Sequence, residues 1–211
     1  MDESKQSPAI AARARQWLRG IWPDAGDRAR GERVERLYCH LVNLARTPAF
    51  YRDLGVPDTP EGRFEMVGLH VALVVRRLKA AGPPADGFAQ DLFELMFADL
   101  DESLRQIGIG DLAVGRQIKR LAGQFYARLR ALDDAFGAEP RQALHAMLEV
   151  NVFHGGAAPS PGQLSALADY VVSAEQRLRS RPAARLLDDR LDLAPPQPPS
   201  KPSREQTTAA R

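Results

Sequence analysis

Apolar residues recur along this chain at steps of three and four, the period of an amphipathic helix. The clearest run covers residues 92–132. Leu92, Leu95, Met96, Leu100, Leu104 and Ile107 form one stripe, and Val114, Ile118, Leu121, Phe125, Leu129 and Leu132 form a second. Between them Ile-Gly-Ile-Gly-Asp predicts a tight turn. Gly108 can take the left-handed conformation that closes a helix, and Asp111 can accept from the free amides that open the next. The stretch reads as a helical hairpin around which the rest of the chain is organised.

The same period predicts the other elements. Over residues 8–22, Ile10, Ala14, Trp17, Leu18, Ile21 and Trp22 share a face, with Arg13, Arg15 and Arg19 on much of the remainder. Such a helix suits docking onto the domain, and its arginines also suit an anionic membrane. Residues 23–31 read as a breaker-rich loop. A helix over 32–46 should bury Val34, Leu37, Tyr38, Leu41, Val42 and Ala45. Thr47-Pro48 then opens a short helix that presents Phe50 and Tyr51 and stops at Gly55, with threonine as cap and proline at the first position. Thr59-Pro60-Glu61 repeats that device ahead of a helix over 60–79, where Phe64, Met66, Val67, Leu69, Val71, Leu73, Val74, Val75 and Leu78 make a face broad enough for several neighbours. Arg76, Arg77 and Lys79 close it, complementing its dipole.

Two more helices follow, one opening at Glu139-Pro140 with Leu144, Met147, Leu148 and Val152 inside, the other at Ser160-Pro161 with Leu164, Leu167, Tyr170, Val171 and Leu178 inside. Strand-like β-branched runs are almost absent. The expected fold is therefore all-α, a compact single-domain multi-helix bundle with a disordered Pro-rich C-terminal tail. Its expected divisions are an N-terminal amphipathic helix and loop over 1–31, a helical domain over 32–181 and the tail over 182–211.

Composition narrows the function. With 211 residues and a formal charge of only +2, the chain is no polyelectrolyte binder of nucleic acid, although arginines can still gather on one face. Cys39 is the single cysteine, which excludes an intrachain disulfide and suggests a buried inert thiol. The longest near-apolar run, 66–75, falls short of a membrane span, and the first twenty residues lack the apolar core of a secretory signal. A cytoplasmic location is expected, with peripheral contact at the inner membrane.

Reactive chemistry is sparse. No Glu-x-x-His pair exists for a helical di-iron site, and His70 on its apolar helix reads as a hydrogen-bonded core histidine. Asp101 and Arg105 stand four apart in the favourable order, so the acids near 99–102 read as an ion-paired face rather than an acid-base pair. Gly108-x-Gly110 lacks the third glycine and the preceding strand of a phosphate loop. No catalytic residue, cofactor or metal is expected. The partner-binding candidates are basic: Arg116, Lys119 and Arg120, with Arg128 and Arg130 further along, joined by Arg76, Arg77 and Lys79 if the fold brings the groups together.

Tyr38, Ala45-Arg46, Phe50-Tyr51, Gly55-Val56-Pro57-Asp58-Thr59, Gly62-Arg63-Phe64-Glu65-Met66, Leu69-His70, Phe97-Ala98-Asp99-Leu100-Asp101, Leu104-Arg105 and Gly108-Ile109-Gly110-Asp111 occur in an order that resembles the ubiquinol-cytochrome c chaperone family. The resemblance spans roughly residues 34–151. It implies an all-helical, non-enzymatic assembly factor. The family's mitochondrial members bind newly made cytochrome b and the ribosome during assembly of respiratory complex III. They act with a small partner protein, and this chain shows no evident mitochondrial leader. The implied role is assembly of the bacterial equivalent, with cytochrome b as client, held by an apolar groove with a basic rim. An RNA- or ribosome-binding factor using the basic helix face is the alternative.

Overall fold

A computed structural model describes residues 25–137, 140–154 and 156–186, together with Leu191, Leu193 and Pro196. Among the described residues seven α-helices run in order: α1 (Ala25–Ala45), α2 (Pro48–Arg52), α3 (Pro60–Lys79), α4 (Ala85–Gln106), α5 (Asp111–Gly137), α6 (Pro140–Asn151) and α7 (Pro161–Ser180). A 3-10 turn, Ala183–Leu186, follows. Among the described residues there is no strand, as the helical period predicted. The expected helix over 8–22 and the residues from 197 onward lie outside the described residues.

The hub is α3. Met66, Leu69, Val71, Leu73, Val74, Val75 and Leu78 are all buried, and α1, α4, α5 and α7 pack around it. Its ends follow from local chemistry. Thr59 Oγ1 accepts from the Gly62 amide at 3.1 Å and Pro60 occupies the first turn, so the free amides are partly satisfied where the helix begins. A side chain on Gly62 would collide with the Pro57 carbonyl, so this approach requires glycine. At the same end of the bundle, Ser160 and Gln163 form a reciprocal capping box that starts α7, and the Gln163 side-chain amide donates to the Asp53 carbonyl at 3.4 Å.

Inside the core, His70 is fully buried, its Nδ1 2.7 Å from the Met66 carbonyl and its Nε2 2.6 Å from the Tyr170 hydroxyl. Phe50 sits edge-on to both rings, with centroids 5.6 Å and 4.9 Å away. Burial depresses the imidazole pKa to about 4, the Met66 carbonyl opposing and His40 adding slightly to the depression. This is the hydrogen-bonded core histidine that the sequence indicates.

Several expectations are corrected. Residues 25–31 are helical rather than a loop, because tertiary partners outweigh the local breakers: the Arg30 guanidinium donates to Asp91 at 2.5 Å and lies 4.9 Å over the Phe88 ring, while Gly31 is buried. Thr47 makes no side-chain cap, and Pro48 alone marks the start of α2. Cys39 is only partly buried. Past Pro182 the core still gains Leu186, Leu191 and Leu193, each at most 5 % exposed.

The central hairpin forms, with two differences. Gly108 has φ +87° and Gly82, before α4, has φ +67°, as left-handed closures require. Asp111 lies one residue inside the helix it was expected to cap, and its carboxylate instead accepts from Arg105, which also donates to Asp101 at 2.6 Å. Ile107, expected on the buried stripe, is 74 % exposed because α4 ends before it and the chain has already turned outward.

Candidate functional site

The basic residues at the end of α3 do not stand free. The Arg76 Nε donates to Asp133 at 2.6 Å, its Nη1 donates to Glu175 at 2.5 Å, and the guanidinium stacks 4.9 Å over Phe136. Arg76 thereby ties α3 to both α5 and α7. Arg77 donates to the Leu178 and Arg181 carbonyls at 3.0 Å and 2.8 Å, satisfying acceptors that the end of α7 leaves open. The dipole these arginines serve is thus that of α7 as well as their own. A shallow cleft of about 360 Å³ opens here, lined by Arg76, Arg77, Phe136, Glu175 and Arg179.

Lys79 is exposed, its ammonium 6.0 Å from the centroid of Tyr126 on α5. Arg116, Lys119 and Arg120 are exposed at the start of α5, and none is in an ion pair among the described residues. From Arg120 to Asp133 the helix advances about 20 Å. The fold therefore strings the six candidates along α5 rather than gathering them: Arg76 and Arg77 beside its far end, Lys79 beside its middle, and the other three on its first turns.

Arg128 does not belong with them. It is 3 % exposed and its guanidinium donates to Glu65 on α3, a contact that fits because residue 68 is glycine. Burial pushes the Glu65 carboxyl up, with Arg128 opposing, and burial pulls the Arg128 pKa down. An acid within the apolar stripe and a glycine one turn later on α3 were the available signals for this pair.

An aromatic group is the part that periodicity alone did not single out. Phe93 and Phe97 on α4 and Phe125 and Tyr126 on α5 form one cluster, with Phe93 4.7 Å from Phe97, 5.3 Å from Phe125 and 5.2 Å from Tyr126 between ring centroids. Phe97 and Phe125 are buried beneath, Phe93 is partly buried, and Tyr126 is 40 % exposed. The cluster reaches the surface between Lys79 and the outward face of α5. On that face nothing lies within 4 Å of where a side chain on Gly115 or Gly123 would begin. The result is a low, partly apolar strip with cations beside it.

This arrangement offers binding surface and little chemistry. Among the described residues no group of three or more His, Cys, Asp or Glu side chains could hold a metal ion. The fully buried histidine is locked between a carbonyl and a phenol. The expected Asp101–Arg105 ion pair is present at 2.6 Å. No described helix is long and apolar enough to cross a membrane.

Comparison with known proteins adds three findings. The family model described as ubiquinol-cytochrome C chaperone matches residues 52–193. The chain is 23 % identical over 145 residues to ubiquinol-cytochrome c reductase complex assembly factor 1 of Mus musculus, covering 69 % of this chain and 48 % of that protein. The Xenopus laevis assembly factor 1 is 24 % identical over 136 residues, covering 64 % and 67 %. The chain thus spans about half the length of the mouse relative. Among solved structures, the crystal structure of the Cbp3 homolog from Brucella abortus aligns with a TM-score of 0.69 and 36 % identity, over 78 % of this chain and 90 % of that one.

Proposed function

Because the chain belongs to the ubiquinol-cytochrome C chaperone family, we propose that it assists assembly of the ubiquinol-cytochrome c reductase by holding newly made cytochrome b. The observation that carries this reading is the family match over residues 52–193, supported by helical likeness to the Brucella protein. The seat we assign to the client is the strip on α4 and α5. Phe93 and Tyr126 supply apolar contact, bare backbone at Gly123 lets a client helix approach closely, and Lys79, Lys119 and Arg120 form the rim. Aromatic anchors beside cations are the composition in which binding energy tends to concentrate. Arg76 and Arg77 act from behind, holding α3 against α5 and α7.

Holding requires no bond to be made or broken, which agrees with a site of packed rings and ion pairs. The client would stay shielded on this strip until its partner subunits replace the chaperone, on the cytoplasmic side where the chain is expected. Deletion of the coding sequence tests the reading: cytochrome b and assembled complex should fall severalfold and return with the wild-type chain, but not with Tyr126→Asp. Normal complex levels in the deletion strain would refute it. The exposed cations also favour an RNA- or ribosome-binding reading, for which retention on RNA with steep loss as salt rises is the sign.

A further inference from the structure

The tip of the α4–α5 hairpin carries two large aliphatic side chains that the fold leaves uncovered. Ile107 is 74 % exposed and Leu112 is 85 % exposed, with Ile109 partly exposed between them and glycines at 108 and 110. Scattered exposed aliphatics are ordinary, but these sit together on a convex end and project away from the bundle. A convex tip does not fit a peptide the way a groove does. It suits a surface that can deform around it.

Charge is segregated around this tip. On the α4 side Arg105 engages both Asp101 and Asp111, and Gln106 donates to Glu102 at 2.9 Å. On the α5 side Leu112, Arg116, Lys119 and Arg120 follow at helical spacing along one face, and no carboxylate occurs between Asp111 and Asp133. The three cations are exposed and lie outside any ion pair among the described residues. From Leu112 to Arg116 and Arg120 the helix rises about 6 and 12 Å. Those distances match the passage from the acyl boundary, where an interfacial apolar group rests, to the headgroup phosphates above it.

We propose that this hairpin tip is a membrane-docking element, inserting Ile107 and Leu112 at the interface of an anionic bilayer while Arg116, Lys119 and Arg120 engage lipid phosphates. It sets the chaperone down with its tip at the lipid surface and leaves Tyr126, further along α5, and Lys79, beside it on α3, for a client emerging there. The tip shares Lys119 and Arg120 with the rim assigned to the client, but Ile107 and Leu112 belong to it alone, and vesicle binding is read with no client present.

Co-sedimentation of the full chain with vesicles decides the matter. Vesicles of phosphatidylcholine and phosphatidylglycerol in equal parts should retain the protein at low salt, and pure phosphatidylcholine should not. Ile107→Asp with Leu112→Asp should weaken retention at least about tenfold by removing the inserted side chains. Arg116→Ala, Lys119→Ala and Arg120→Ala together should weaken it about a hundredfold, since each basic residue near an anionic surface contributes about fivefold. All five positions are exposed, so thermal unfolding should confirm that both variants stay folded. No retention of the wild type, or equal retention of both variants, overturns the proposal. Retention on RNA through the same three cations without vesicle binding overturns it in favour of a nucleic-acid surface.

Discussion

Helices α3 and α5 pack against each other, yet they differ sharply in how much of their surface the bundle covers. In α3, eleven of twenty residues are buried, including a histidine, and four other helices surround it. In α5, with twenty-seven residues, seven are buried, and the outward face keeps two uncovered glycines, a tyrosine and a row of cations. The polar groups follow the same division. Those of α3 are consumed by neighbours: His70 by Tyr170, Glu65 by Arg128, Arg76 by Asp133 and Glu175. Those on the outer side of α5 are left available. Burial on α3 thus holds the molecule together, while the outer side of α5 remains open surface.

The sharpest break of this contrast should come from truncating the hub. Leu73→Ala removes a fully buried side chain from α3 and should cost about 3 kcal/mol in urea unfolding. The next effect concerns pH. Because the folded-state pKa of His70 is about 4, below the ordinary 6.5, the unfolded chain takes up a proton that the folded chain refuses. Stability is fully present above about pH 6.5 and is lost as pH falls towards 4, with the His70 share amounting to about 2 kcal/mol at pH 5. Glu65, whose carboxyl is raised by burial, pulls the other way, so the quantity to read is the difference between wild type and His70→Gln at pH 7 and pH 5. A variant with the same pH dependence as the wild type would show that His70 is not held neutral. The smallest effect is the counterpart on the other element: Leu112→Ala, on the outer face of α5, should change unfolding stability by less than about 0.5 kcal/mol. If it cost as much as Leu73→Ala, the division between the two helices would fail.

Most of this division could be read in the residues. The broad stripe on 60–79 already called for several neighbours, and it has them. Thr59-Pro60 and Ser160-Pro161 marked helix starts correctly because a cap is a local bond between residues two or three apart. What escaped depended on contacts between residues far apart in sequence. Arg30 finds Asp91 and so keeps α1 helical through a stretch rich in breakers. Arg128 looked like one more surface arginine until Glu65 and the space at Gly68 placed it inside. Ile107 satisfied the stripe but fell beyond the last turn of α4, where the period no longer decides which way a side chain points. The aromatic cluster is likewise assembled from two helices and has no signature in either alone.

The central claim is that the outward strip of α5 receives the client, and site-directed photocrosslinking in growing cells tests it most directly. With a photoreactive residue in place of Tyr126, illumination should yield a covalent adduct containing cytochrome b, and the same residue in place of Arg36, exposed on α1, should not. Adducts with ribosomal proteins alone, or none containing cytochrome b from Tyr126, would contradict the account.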